Sequence, residues 1–137
     1  MKNAGIVAPR ILAVLGSRDE AATLKRILEP ESWDVQYEPC FPAAQAALLS
    51  GSFRVVICAS RFDGGHHWKD VLESLKRAQS PPLLIVADRL ADEALWAEVL
   101  NLGGYDVLMT PFERDEVLRI VTQAWNVGTR STATHGA

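Results

Sequence analysis

The sequence predicts a three-layer α/β sandwich, in which five parallel strands in the order 2-1-3-4-5 carry five helices on their two faces. Three observations carry this expectation. Several short segments are apolar without interruption, among them Ile11–Leu15, Leu83–Ala87 and, after its opening arginine, Arg54–Ala59, as suits strands buried on both faces. Amphipathic helical stretches alternate with them. The connections between them are short, which calls for right-handed crossovers and a parallel sheet covered on both sides.

The elements follow in order. The first strand is Ile11–Leu15, and Ser17-Arg18-Asp19-Glu20 has the S-x-x-E spacing of a capping box opening the first helix. Leu24, Ile27 and Leu28 form that helix's apolar stripe, and Pro30 stops it. Trp33–Tyr37 alternates apolar with polar side chains, the pattern of a strand nearer the sheet edge. Pro42 opens a second helix through Leu49, closed by Gly51. After the third strand comes the Gly-rich loop Arg61-Phe62-Asp63-Gly64-Gly65. The third helix follows, with Trp68, Val71, Leu72 and Leu75 on one face and Ser80-Pro81-Pro82 at its end. The fourth helix, from about Ala91 to Leu102, points Leu95, Val99 and Leu102 inward and ends at Gly103-Gly104. Tyr105–Met109 is the fifth strand, and the fifth helix runs from about Glu113 to Trp125. Residues 1–9 read as an N-terminal extension, 10–127 as one domain, and 128–137 as a flexible tail.

Composition narrows the function classes. The chain has 137 residues, 48% of them hydrophobic and 23% charged, with a formal net charge of −3, as in an ordinary single-domain globular protein. No Lys/Arg stripe suggests a nucleic-acid partner. No apolar run reaches the ~20 residues that would cross a membrane. The first ten residues lack the apolar core of a signal peptide, which gives a cytoplasmic expectation. Two cysteines, Cys40 and Cys58, are too few for a disulfide framework and lack metal-ligand spacing. No metal and no cofactor is expected.

Four segments carry a family likeness. Arg10-Ile11-Leu12-Ala13-Val14 looks like an opening strand, and Arg54-Val55-Val56-Ile57-Cys58-Ala59 like a phosphoacceptor strand, with Asp63-Gly64 echoing the turn beyond it. Leu100–Leu108 and Thr110-Pro111-Phe112 complete the set, the latter standing where the family has Lys-Pro-Phe. From Arg10 to Gly128 the chain resembles the receiver domain of bacterial two-component response regulators, and its expected fold is therefore flavodoxin-like. The resemblance implies a phosphoacceptor aspartate, an acidic pair holding Mg²⁺, a hydroxyl after the fourth strand, a lysine after the fifth, and a switch aromatic.

Each of these positions is altered. The acidic pair falls at Leu15 and Gly16, the acceptor at Ala59, the hydroxyl at Ala87, the lysine at Thr110 and the aromatic at Val107. An alanine cannot form an acyl phosphate, and a Leu/Gly pair offers no side-chain oxygen to a hard cation. A one-residue slip brings in Ser60, Ser17 and Asp88, which do not restore the set.

The expectation is thus a pseudo-receiver that has lost phosphotransfer, is not an enzyme, and acts by protein–protein interaction. Its partner would be a kinase, regulator or output protein, or a second copy. In receivers the usual partner face comprises the fourth helix, fifth strand and fifth helix, where Trp96, Tyr105 and Glu98 would lie. Trp96 has two readings, an exposed anchor or a ring folded over the groove beside the fifth helix, and Trp125 shares the ambiguity. Trp33 and Trp68 read as core edge. Other readings stay open. A flavodoxin-like ligand-binding or enzymatic domain would use the loops after the first and third strands, with a pocket near Gly16, Ala59 and Ala87. Asp63 could be an unorthodox phosphoacceptor, although Asp63-Gly64-Gly65 also reads as a plain turn. Ser17 and Ser60 lack a positioned base beyond His66 and His67. The resemblance also implies a cis Thr110-Pro111 bond.

Overall fold

A computed structural model describes residues 9–135, and their side chains except at Ser50, Asp63 and 128–135. Five parallel strands, β1 (Arg10–Val14), β2 (Asp34–Glu38), β3 (Val55–Ala59), β4 (Leu83–Asp88) and β5 (Asp106–Met109), form one sheet in the order β2-β1-β3-β4-β5. Five helices connect and cover them: α1 (Arg18–Leu28), α2 (Phe41–Ser50), α3 (Trp68–Lys76), α4 (Glu93–Leu102) and α5 (Arg114–His135). The uninterrupted apolar runs are the three central strands. Both of their faces are covered, so Ile11 to Leu15 and Val55 to Cys58 are all fully buried.

Two cores result. On one face α1 and α5 pack Leu24, Leu28, Val117 and Val121 against Ile11, Val55, Ile57 and Leu108. On the other, α2, α3 and α4 pack Ala44, Trp68, Leu72, Leu75 and Val99 against Leu12, Val56, Leu84 and Val86. Local signals set the element ends. Ser17 Oγ accepts from the backbone N–H of Asp19 and Glu20 at 3.1 and 3.3 Å, capping α1. Pro30 diverts the chain into a single 3₁₀ turn, Glu29–Glu31. Gly103, at φ +111°, ends α4 in the left-handed conformation that glycine adopts without strain.

Two expectations need correction. The helix expected to end near Trp125 continues to His135. Glycine weakens a helix without stopping it as proline does, and no proline follows. Leu102, placed inward by its spacing, is 40% exposed. It is the last residue of α4, three positions on from the buried Val99 and so turned about 60° off its face. Of the extension expected over residues 1–9, residues 1–8 lie outside the described residues, and the Pro9 carbonyl accepts the Asp34 N–H at 2.8 Å.

Candidate functional site

The carboxyl ends of the strands bring the altered positions together. Ala59 stands directly opposite Ala87 in the β3–β4 register, and Ala87 is in turn opposite Leu108 of β5. Leu15 follows β1 as a fully buried core residue and Thr110, 6% exposed, follows β5, its backbone N–H donating to the Asp88 carbonyl at 3.1 Å. The Thr110-Pro111 bond is cis. Val107 is buried in the core shared by α2, α3 and α4, so no aromatic ring is available there to turn in or out.

The floor of this end of the sheet is therefore methyl and methylene groups, and the loop after β3 closes over it. Phe62 is buried, and its Cα lies 3.9 Å from where a side-chain carbon on Gly16 would stand. The Phe62 N–H donates to the His66 carbonyl at 3.0 Å, closing a turn through Gly64 (φ +74°) and Gly65 (φ +79°). The His66 ring stacks on Phe41 of α2 at 4.7 Å and beside Phe62 at 6.3 Å between centroids. Phe62 thus stands at van der Waals distance from the position a side chain on Gly16 would take.

Just beyond the strand ends, polar groups pair among themselves. Ser60 donates its hydroxyl to Asp88 Oδ1, while Asp88 Oδ2 accepts the Leu90 N–H at 2.9 Å. The Ser60 N–H donates to the Ala87 carbonyl at 2.9 Å, and the Ser60 carbonyl accepts the Trp68 N–H at 3.1 Å. This serine ties the β3 and β4 loops together instead of meeting a base. Among the described residues no buried side-chain polar atom lacks a partner, and no group of three His, Cys, Asp or Glu side chains could hold a metal. Mg²⁺, implied by the receiver resemblance, does not fit Leu15, Gly16 and Ala59, which present no side-chain oxygen. The Asp63 backbone lies in the 3₁₀ turn Asp63–Gly65; its side chain is outside those described.

The other candidate surface is the flank of α4. Trp96 is 46% exposed, and one turn on Leu100 is 37% exposed, with Met109 at the end of β5 50% exposed. Tyr105 is half-buried before β5, its N–H donating to the Leu84 carbonyl at 2.7 Å. Glu98 does not join this set. Its carboxylate pairs with Lys69 Nζ of α3 at 2.6 Å, and two residues' separation places it about 200° around the helix from Trp96. Trp125 belongs to the interior edge, meeting Trp33 edge-on at 5.5 Å and lying under the Arg54 guanidinium at 4.9 Å.

Sequence reasoning missed two residues here, Phe62 and His67. Nothing in the spacing marks Phe62 as a cover for Gly16. His67, read only as a loop base, is the N-cap of α3: its Nδ1 accepts the Lys69 N–H at 3.3 Å, and Asp70 Oδ2 accepts the His67 N–H at 3.0 Å. Asp70 three residues after His67 was the available signal for such a reciprocal cap.

No family model matches the sequence, and no curated protein matches it. Solved structures do match. The chain is similar to the signal receiver domain of a Vibrio parahaemolyticus protein described as a Luxo repressor, at a TM-score of 0.86 and 19% identity, over 96% of this chain and 100% of that one. It is also similar to the signal receiver domain of an HD domain-containing protein from Pseudomonas fluorescens Pf-5, at a TM-score of 0.80 and 22% identity over 90% and 99% of the two chains. A third is the beryllofluoride-activated NtrC4 receiver domain dimer, at a TM-score of 0.79 and 18% identity over 87% and 98%. With its sheet order and five helices, the chain has the flavodoxin-like fold of response-regulator receiver domains.

Proposed function

We propose that the chain is a receiver-like module of bacterial two-component signalling that works without phosphotransfer, by docking to another protein. The observation that carries this reading is the apolar floor at the strand ends, Leu15, Ala59 and Ala87, closed over Gly16 by Phe62. Phosphotransfer to an aspartate needs a carboxylate nucleophile and oxygen ligands for a divalent cation, and neither is supplied there. Without crowded carboxylates there is no like-charge repulsion to relieve, and no bound ion to bias two conformations. One resting conformation follows.

Docking would use the flank formed by α4, β5 and α5, through Trp96, Leu100, Met109 and Tyr105. Large exposed apolar side chains, tryptophan above all, are the usual anchors of protein interfaces. The partner is a kinase, a regulator, an output protein or a second copy; the dimeric NtrC4 receiver is a structural neighbour of this chain. No helix among the described residues is long and apolar enough to cross a membrane.

The test is intact-mass spectrometry of the purified chain with acetyl phosphate and Mg²⁺, alongside tryptophan fluorescence during beryllofluoride addition. No adduct and no spectral change are expected. A phosphoryl adduct overturns the reading, and Asp63→Ala then decides whether Asp63 is the acceptor.

A further inference from the structure

The cap on α3 has a chemistry that most helix caps lack. Serine, threonine, asparagine and aspartate cap with oxygen, which accepts a hydrogen bond across the physiological pH range. His67 caps with Nδ1, and an imidazole nitrogen accepts only while it carries no proton. Protonation would set a ring N–H against the Lys69 N–H, a donor facing a donor. We propose that His67 is a proton-operated latch on the start of α3, closed with the ring neutral and released when it is protonated.

The surroundings give the released ring somewhere to turn. On its own helix, Asp70 Oδ2 accepts the His67 backbone N–H, and Lys69 lines the same cavity as His67. From the loop His67 faces Arg61, to which it is bridged antiparallel. Across a cavity of about 400 Å³ lie Asp88 at the end of β4, and Asp92 and Glu98 at α4. Carboxylates outnumber bases around it. Three of them are engaged elsewhere: Asp88 with Ser60 and the Leu90 N–H, Asp92 as the cap of α4 through the Leu95 N–H at 2.9 Å, and Glu98 with Lys69. Asp70 is held by the His67 backbone N–H, which does not depend on the protonation of the ring. Lys69 provides the route outward, since its backbone feels the latch and its ammonium holds Glu98 of α4. His66 is the internal contrast: its ring stacks on Phe41, and it caps no helix. None of this depends on whether the chain takes up phosphate or docks through Trp96.

The experiment is NMR on the full chain between about pH 8 and pH 5, the span over which imidazoles ordinarily titrate. Ring-nitrogen shifts report the protonation of His67 Nδ1, and amide exchange corrected for the intrinsic rate reports the cap. Nδ1 is expected to be proton-free at pH 8, and Lys69 amide protection to fall about fivefold as the ring protonates, the size of a lost helix cap. His67→Asn, whose oxygen caps at either pH, is expected to abolish the fall, and His66→Phe to preserve it. A protonated Nδ1 at pH 8, constant Lys69 protection in the wild type, or an undiminished fall in His67→Asn overturns the latch. Should His67→Asn not fold, the two wild-type readouts decide alone.

Discussion

Helices α3 and α4 lie side by side on the same face of the sheet and differ in where their apolar residues go. In α3, Trp68, Val71, Leu72 and Leu75 are all buried, and the charged residues stand outward. In α4 only Val99 is buried, while Trp96, Leu100 and Leu102 are left in contact with water. Apolar content therefore does not by itself tell where a helix packs. A helix that keeps large apolar groups in solvent at a cost in solubility is more readily explained by something that covers them than by folding alone.

The largest effect separating the two helices is expected on the α3 side. Leu75→Ala should lower unfolding stability by about 3 kcal/mol, the cost of a cavity in a close-packed core, measured by urea denaturation. A loss below about 1 kcal/mol would mean that this core collapses around the gap. Next, Ser60→Ala removes the hydroxyl that ties the β3 and β4 loops through Asp88, and about 1 kcal/mol should go with it. Trp96→Ala, on the exposed flank of α4, should change stability by less than about 0.5 kcal/mol while abolishing association with the docking partner in a pull-down. Should Trp96→Ala destabilise as much as Leu75→Ala, the contrast between the helices disappears.

The smallest perturbation uses the cysteines. Burial, with a smaller contribution from the Asp70 carboxylate, pushes the Cys58 thiol well above its ordinary range, so the reactive thiolate is scarce at any pH at which the chain is folded. Cys40 is only partly buried. A thiol reagent at pH 8 should label Cys40 alone in the native state, and Cys58 only after unfolding. Raising the pH to 9 should still leave Cys58 unlabelled. Prompt labelling of Cys58 would show that the centre of the sheet opens locally.

Much of the fold was legible because parallel strands buried on both faces leave uninterrupted apolar runs, as Val55 to Cys58 do. Ser17 and Pro30 announced the ends of α1 through local chemistry. What escaped depends on neighbours distant in sequence. Glu98 points toward α3 because Lys69 is there to receive it, and nothing in the fourth-helix segment alone says so. That Leu15, Gly16, Ala59, Ala87 and Thr110 fall at or just after the carboxyl ends of their strands followed from order along the chain. The closure by Phe62 did not, because it requires the loop after β3 to fold back over β1. His67 escaped because histidine is an uncommon cap.

Gly104 carries a consequence for mutational tolerance. A side-chain carbon there would collide with Val99 Cγ1 and approach the Val99 carbonyl, which already accepts the Gly104 N–H at 2.8 Å. In a library randomised at 96 and 104 and sorted only for soluble folded protein, position 104 should return almost exclusively glycine, while position 96 should drift through much of the alphabet. The same library sorted for partner binding should restore the aromatic at 96. Two selections on two codons would thus separate the residue that architecture demands from the one that recognition keeps.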